Sequence, residues 1–190
     1  LWFLGPETAL PVLEPMLLND KTAQMACYAI AADPSPKGDE ALRSALDKAR
    51  GNALIAVANL LGERRDPAAV KPLCALANGD TLPEARAAIR ALGKIGNEAA
   101  AACLAKALQS EQATIRGAAM DASLICAEGL LKDGKRQKAA NIYNELARET
   151  YPEAVQEAAK LGLNNAKLGP PVVLFDGKNL DHWEGDMNLW

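Results

Sequence analysis

The chain has 190 residues, 49% of them apolar and only 4% aromatic, with a net charge of -3 and a pI near 5.3. That apolar share is ample for an extended core, and one built from Ala and Leu rather than large rings favours stacked helices over a β-rich globule. The acidic balance argues against a nucleic-acid binder, which would carry a basic excess, and no apolar run approaches the roughly 18 residues that a membrane-spanning helix needs.

In chain order, residues 1–5 read as the tail of a helix and its C-cap, so the opening resembles the second half of a unit and a fragment of a longer protein is expected. Residues 6–18 form the first helix, 19–20 a turn, and 21–32 its partner. Asp33-Pro34-Ser35-Pro36 then breaks the chain, because a residue before proline is pushed out of the helical region. Helices follow over 38–49 and 52–61, over 66–78 and 83–94, and over 97–109 and 111–131. The pattern has a period of 31 residues: Ser35-Pro36 recurs as Asp66-Pro67, Leu42 as Leu73 and Leu104, and Gly62 as Gly93. A fixed period of this length marks a solenoid. Pro6 and Pro11 repeat the spacing of Pro67 and Pro72 with a one-residue slip. Ser35, Asp66 and Asn97 are N-cap residues, and Pro36 and Pro67 follow at the first helical position, where no donor is lost. Gly62 and Gly93 are expected to close their helices in the left-handed conformation. Ala85, Ala88, Ile89 and Leu92, then Ala100, Cys103, Leu104, Ala107 and Leu108, give each helix one buried stripe.

The run from Arg86 to Asn97, RAAIRALGKIGN, resembles the HEAT-like repeats first grouped with phycobilisome lyases. Residues 52–76 fit less closely, and Ile115-Arg116-Gly117-Ala118-Ala119 begins a copy that departs from the pattern, since no Leu-Gly follows and the helix runs on to about Leu131. The repeat pattern is clearest over roughly 6–130. Residues 122–146 resemble a tetratricopeptide helix pair, and a last helix over 152–163 closes the stack. The resemblance implies an all-α fold, a right-handed α-α superhelix (a HEAT-like solenoid) of about five helix pairs over residues 1–163. It implies little about function, because such arrays serve many roles.

Residues 164–171, NNAKLGPP, read as a linker. After them Val172-Val173-Leu174-Phe175 is a β-type run and Asp176-Gly177 a turn, a non-helical stub over 172–190. Leu174-Phe175-Asp176-Gly177-Lys178, with Trp183 and Trp190 following, is similar to the opening of the 3-keto-disaccharide hydrolase family. That resemblance implies the truncated start of a concanavalin-like β-sandwich, a link to carbohydrate through a missing domain, and an exported bacterial protein. Leu174, Phe175, Asp176, Gly177, Trp183 and Trp190 are read as structural motif positions, and no catalytic residue is carried over.

Among single residues, Arg86, Arg90 and Arg116 lie on the second helices of their units. If these line the concave face, the three are candidate partner contacts; the alternative is internal bonding to helix ends or acidic groups. Lys132, Lys135, Arg136 and Lys138 form a basic cluster expected to be a solvated loop, the alternative being a contact with an acidic partner. Cys27, Cys74, Cys103 and Cys126 sit in Ala-rich helical stretches and are expected to be small core residues; a disulfide is the alternative, though nothing in their spacing asks for one. There is no Cys-x-x-Cys pair, and His182 is the lone histidine, so no metal site is expected. Asp176, Asp181 and Asp186 lack the Glu and Gly spacing of a calcium loop. No cofactor is called for. The expected function is a protein-interaction scaffold beside a sugar-acting domain, with no turnover by the helices alone. The alternatives are a chromophore-lyase-like subunit, which would bind bilin, and a HEAT-like DNA-repair protein, which would bind duplex DNA in a salt-dependent way.

Overall fold

The computed structural model describes residues 6–32 and 35–167. Across them run α1 (Pro6–Leu17), α2 (Ala23–Ala31), α3 (Pro36–Lys48), α4 (Gly51–Glu63), a 3-10 turn (Pro67–Ala69) leading into α5 (Val70–Ala77), α6 (Leu82–Ile95), α7 (Glu98–Ala107), α8 (Ala113–Lys132), α9 (Arg136–Leu146) and α10 (Glu153–Lys167). Among the described residues there is no strand. The last helix runs to Lys167, into the stretch read from composition as a linker. The motif positions Leu174, Phe175, Asp176, Gly177, Trp183 and Trp190, together with Asp181, His182 and Asp186, lie outside the described residues.

The helices pair in chain order, α1 with α2 through α9 with α10, and the pairs stack into two layers. The second helices α2, α4, α6, α8 and α10 pack in succession, and α1 meets α3 and α5 meets α7 in the other layer. The fold is an all-α, HEAT-like solenoid. The 31-residue period sets its core. Ala26, Val57, Ala88 and Ala119 occupy one register of the second helices, Ile30, Leu61, Leu92 and Ser123 another, and all eight are buried. Burying a side chain such as Leu61 or Leu92 contributes about 2 kcal/mol. Each second helix is thus covered on two sides, by its own partner and by the next unit.

The two glycines expected as C-caps have a different role. Gly62 lies inside α4 and Gly93 inside α6. A Cβ on Gly62 would sit 2.7 Å from the Ala91 Cα, and one on Gly93 would sit 2.8 Å from the Ala122 carbonyl oxygen and 2.9 Å from its Cα. These positions let the second helices touch backbone to backbone. The left-handed residues come three positions later, at Arg65 (φ 52) and Gly96 (φ 62), again 31 apart. Gly bears that conformation freely, whereas a side chain costs about 1 kcal/mol or more. Arg65 offsets the cost through its side chain: Nε donates to the Ile95 carbonyl at 3.3 Å and Nη2 to Asp133 at 3.1 Å, two units along.

The cap assignments at Asp66 and Asn97 hold. Asp66 accepts from the Ala68 N–H at 2.9 Å and Asn97 from the Ala100 N–H at 2.8 Å. Ser35 stands at the N-cap of α3 with Pro36 after it. The start of α4 is capped from its neighbours instead. Asp20 of the preceding unit accepts from the Ala53 N–H at 2.9 Å, and Glu84 of the following unit accepts from the Gly51 N–H at 2.6 Å. Ion pairs also cross units: Arg43 with Asp66 at 2.6 Å, Arg64 with Asp39, and Lys94 with Glu63. Asp66 is the most demanding of these, because its buried carboxylate serves both as cap and as partner of Arg43. Asp66→Ala removes both functions, and in urea unfolding it is expected to cost about 2 kcal/mol, against about 1 kcal/mol for Asn97→Ala, which loses a cap alone. Equal losses would show that the Arg43 pair adds nothing.

Candidate interaction surface

The second-helix layer carries the candidate surface, and its outward positions follow from the same period. With Ala26, Val57 and Ala88 inside, the register two residues on brings Tyr28, Asn59, Arg90 and Asp121 into a row across α2, α4, α6 and α8. Tyr28 is 82% exposed, and Met25 beside it on α2 is 67% exposed. A turn before Arg90, Arg86 follows Ile55 in register and precedes Gly117, where nothing lies within 4 Å of a built Cβ.

The three candidate arginines divide. Arg116 Nη1 donates to the carbonyls of Ser110 and Glu111, both at 2.8 Å, so it clasps the turn that opens α8. Arg86 and Arg90 share one face of α6. Arg90 is exposed and Arg86 half-buried, and the Arg86 Nε is buried without a hydrogen-bond partner among the described residues. Every other arginine in the chain donates to a carboxylate or a main-chain carbonyl of a described residue.

The basic cluster is mostly absorbed by the fold. Lys138 and Lys135 hold Glu98 at 2.9 and 3.7 Å, and the hydrogen bond and charge of Lys138 pull the Glu98 carboxyl below its usual range. Arg136 Nη1 donates to the carbonyls of Asn165 and Ala166 near the end of α10. Lys132 stays exposed beside a groove of about 390 Å³ between α8, α9 and α10, walled by Leu124, Leu131, Tyr143 and Leu161. Gly162 lets α10 lie on the Tyr143 ring there.

The cysteines correct one expectation. Cys74 of α5 and Cys103 of α7 form a disulfide with their Cα atoms 5.7 Å apart, joining the first helices of adjacent units. Their separation of 29 residues is two short of the period, the same offset at which Gly62 meets Ala91 and Gly93 meets Ala122. Cys27 and Cys126 are buried free thiols, as expected. Desolvation pushes both thiols up to about 11 and the Tyr143 phenol up to about 12. Such thiols stay protonated at neutral pH and make poor nucleophiles. Because the folded chain holds these protons longer than the unfolded chain, which releases them near 9 and 10, unfolding is favoured as pH rises through that interval. The melting temperature is expected to be flat from pH 7 to 8.5 and to fall steadily between about 9 and 12, with a shallower slope in Cys126→Ala. An unchanged slope in that variant would remove Cys126 from the account.

Among the described residues no group of three His, Cys, Asp or Glu could hold a metal ion, and no helix is long and apolar enough to cross a membrane. No curated protein matches the chain. Residues 40–124 match the family model described as HEAT repeats, the segment from α3 to α8 in which the caps and the close-packing glycines recur by unit, so this part of the solenoid is a HEAT-like repeat array.

Proposed function

We propose that this chain is a protein-interaction scaffold whose second-helix face, centred on Arg86 and Arg90, receives a partner protein or another domain of the same chain. The observation that carries the reading is the contrast among the arginines. Seven are spent on ion pairs and helix ends, while the two on the outward face of α6 are bonded to nothing among the described residues. Charged side chains left unpaired on the face of a repeat array are free to meet complementary charge on a partner, which sets partner choice and on-rate. Arg116 is the weakest of the three as a contact, since its guanidinium is committed to the Ser110 turn. The link to a 3-keto-disaccharide hydrolase-like domain is supported by the residue order over 174–190, so carbohydrate is assigned to the domain whose opening those residues resemble and not to the helices.

The test places a photo-crosslinking residue at Arg90 or at Lys71, which is exposed on the first-helix layer. Crosslinked protein is expected from the Arg90 position, reduced by Arg86→Glu in the same chain, and absent from the Lys71 position. Crosslinking from Lys71 alone would overturn the assignment of the face. In parallel, the helical chain is expected to leave 3-keto-glycosides unhydrolysed.

A further inference from the structure

We infer that the ligand of this face is an acidic peptide segment: two carboxylates held by Arg86 and Arg90, followed about six residues later by an apolar side chain that rests against Tyr28 and Met25. The inference rests on the scaffold reading above and adds the chemistry of the partner. Arg86 and Arg90 lie four positions apart, on adjacent turns of α6, so their head groups are close enough to meet two nearby carboxylates at the acidic end of one peptide. Arg86 gains most. Its Nε is buried with no acceptor among the described residues, which leaves a donor desolvated and unused, and a carboxylate that draws the guanidinium outward replaces that loss with a charge-assisted bond.

The surroundings set direction. On the α8 side the row continues to the exposed Asp121, which repels an incoming acid. Glu84, at the start of α6, is occupied by the Gly51 N–H, and Glu63 by Lys94. On the α4 side the next positions are Ile55 and Asn59, both uncharged. The open route from Arg90 therefore runs over α4 to α2, where Tyr28 and Met25 form an exposed apolar pair. Adjacent packed helices lie about 8–10 Å apart, so Arg90 and Tyr28 are separated by two such steps, roughly 18 Å. An extended chain covers that in about five or six residues. The charge pair and the apolar pair together thus specify a spacing as well as a composition.

The experiment follows the arginine Nε–H cross-peaks of the full chain by NMR while a synthetic peptide, Glu-Glu-Gly-Ser-Gly-Ser-Gly-Leu, is added. The Arg86 and Arg90 peaks are expected to move and saturate, with the Arg116 and Arg136 peaks still. Arg86→Gln and Arg90→Gln each weaken binding roughly fivefold to tenfold, and raising the salt weakens it further. Moving the Leu next to the glutamates, or Tyr28→Ser, weakens it about threefold to tenfold. Lys in place of Glu in the peptide abolishes the shifts. Unmoved Arg86 and Arg90 peaks at millimolar peptide, or full affinity in both Gln variants, overturns the proposal. A partner that still crosslinks from position 90 at full yield in the Arg86→Gln chain leaves the scaffold reading standing and removes acid recognition alone, whereas loss of crosslinking with intact peptide binding does the reverse.

Discussion

Gly93→Ala is expected to destabilise the chain by about 3 kcal/mol, at the upper end for one added methyl group. The reason is what the methyl meets. The three nearest atoms all belong to Ala122, two of them backbone, at 2.8 to 2.9 Å. Backbone of a buried helix cannot swing aside as a side-chain tip can, so α6 and α8 must separate, and with them the contact that carries the stack past its midpoint. Gly62→Ala meets the Ala91 Cα at 2.7 Å and should cost about the same. The control is Gly117→Ala, inside α8 with nothing within 4 Å. It is expected to be neutral or to stabilise by up to about 1 kcal/mol, because Ala is the better helix former. For a chain of this size 3 kcal/mol lowers the melting temperature by roughly 6–12 °C. Equal melting temperatures for Gly93→Ala and Gly117→Ala would mean that these glycines do not set the helix spacing.

Those glycines also show what the sequence could and could not reveal. The period, the caps at Asp66 and Asn97, the run-on of α8 and the pairing of helices were legible because each rests on local chemistry repeated at fixed intervals. The recurrence of Gly62 and Gly93 was equally visible, but its cause was not. A recurring glycine serves either a positive φ or a close approach, and only the path of the neighbouring helix distinguishes them. The left-handed cap at Arg65 was hidden for the same reason: nothing local marks an arginine for that conformation, and the groups that offset its cost, Ile95 and Asp133, come from other units. On the candidate surface, the sequence placed Arg86, Arg90 and Arg116 on second helices, yet could not separate the arginine tied to Ser110 from the two left unpaired. Tyr28 was passed over, since one tyrosine in an Ala-rich helix carries no periodic signal until the ladder through Asn59 and Arg90 is drawn.

Breaking the Cys74–Cys103 bond is expected to cost roughly 3–4 kcal/mol, the chain-entropy value for a closed loop of about 30 residues. Because the bond joins α5 to α7, the loss should fall on the first-helix layer, where α5 is only 8 residues long and depends on its neighbours. The second-helix layer keeps its own continuous contact from α4 through α6 to α8. The Cys74→Ser/Cys103→Ser variant should therefore still be helical, unfold at lower urea, and exchange its α5 amides faster than those of α6. Wild-type protein in reducing buffer should match it. Thiol counting decides whether the bond is present at all. Denatured without reductant, the oxidised chain should show two reactive thiols, Cys27 and Cys126, and after reduction four; four before reduction would remove the crosslink. Two in protein trapped directly from cells would show that the array matures where disulfides persist, in an oxidising compartment. That result would bear on its location independently of the residue order over 174–190, because it depends only on the placing of two half-buried cysteines one unit apart.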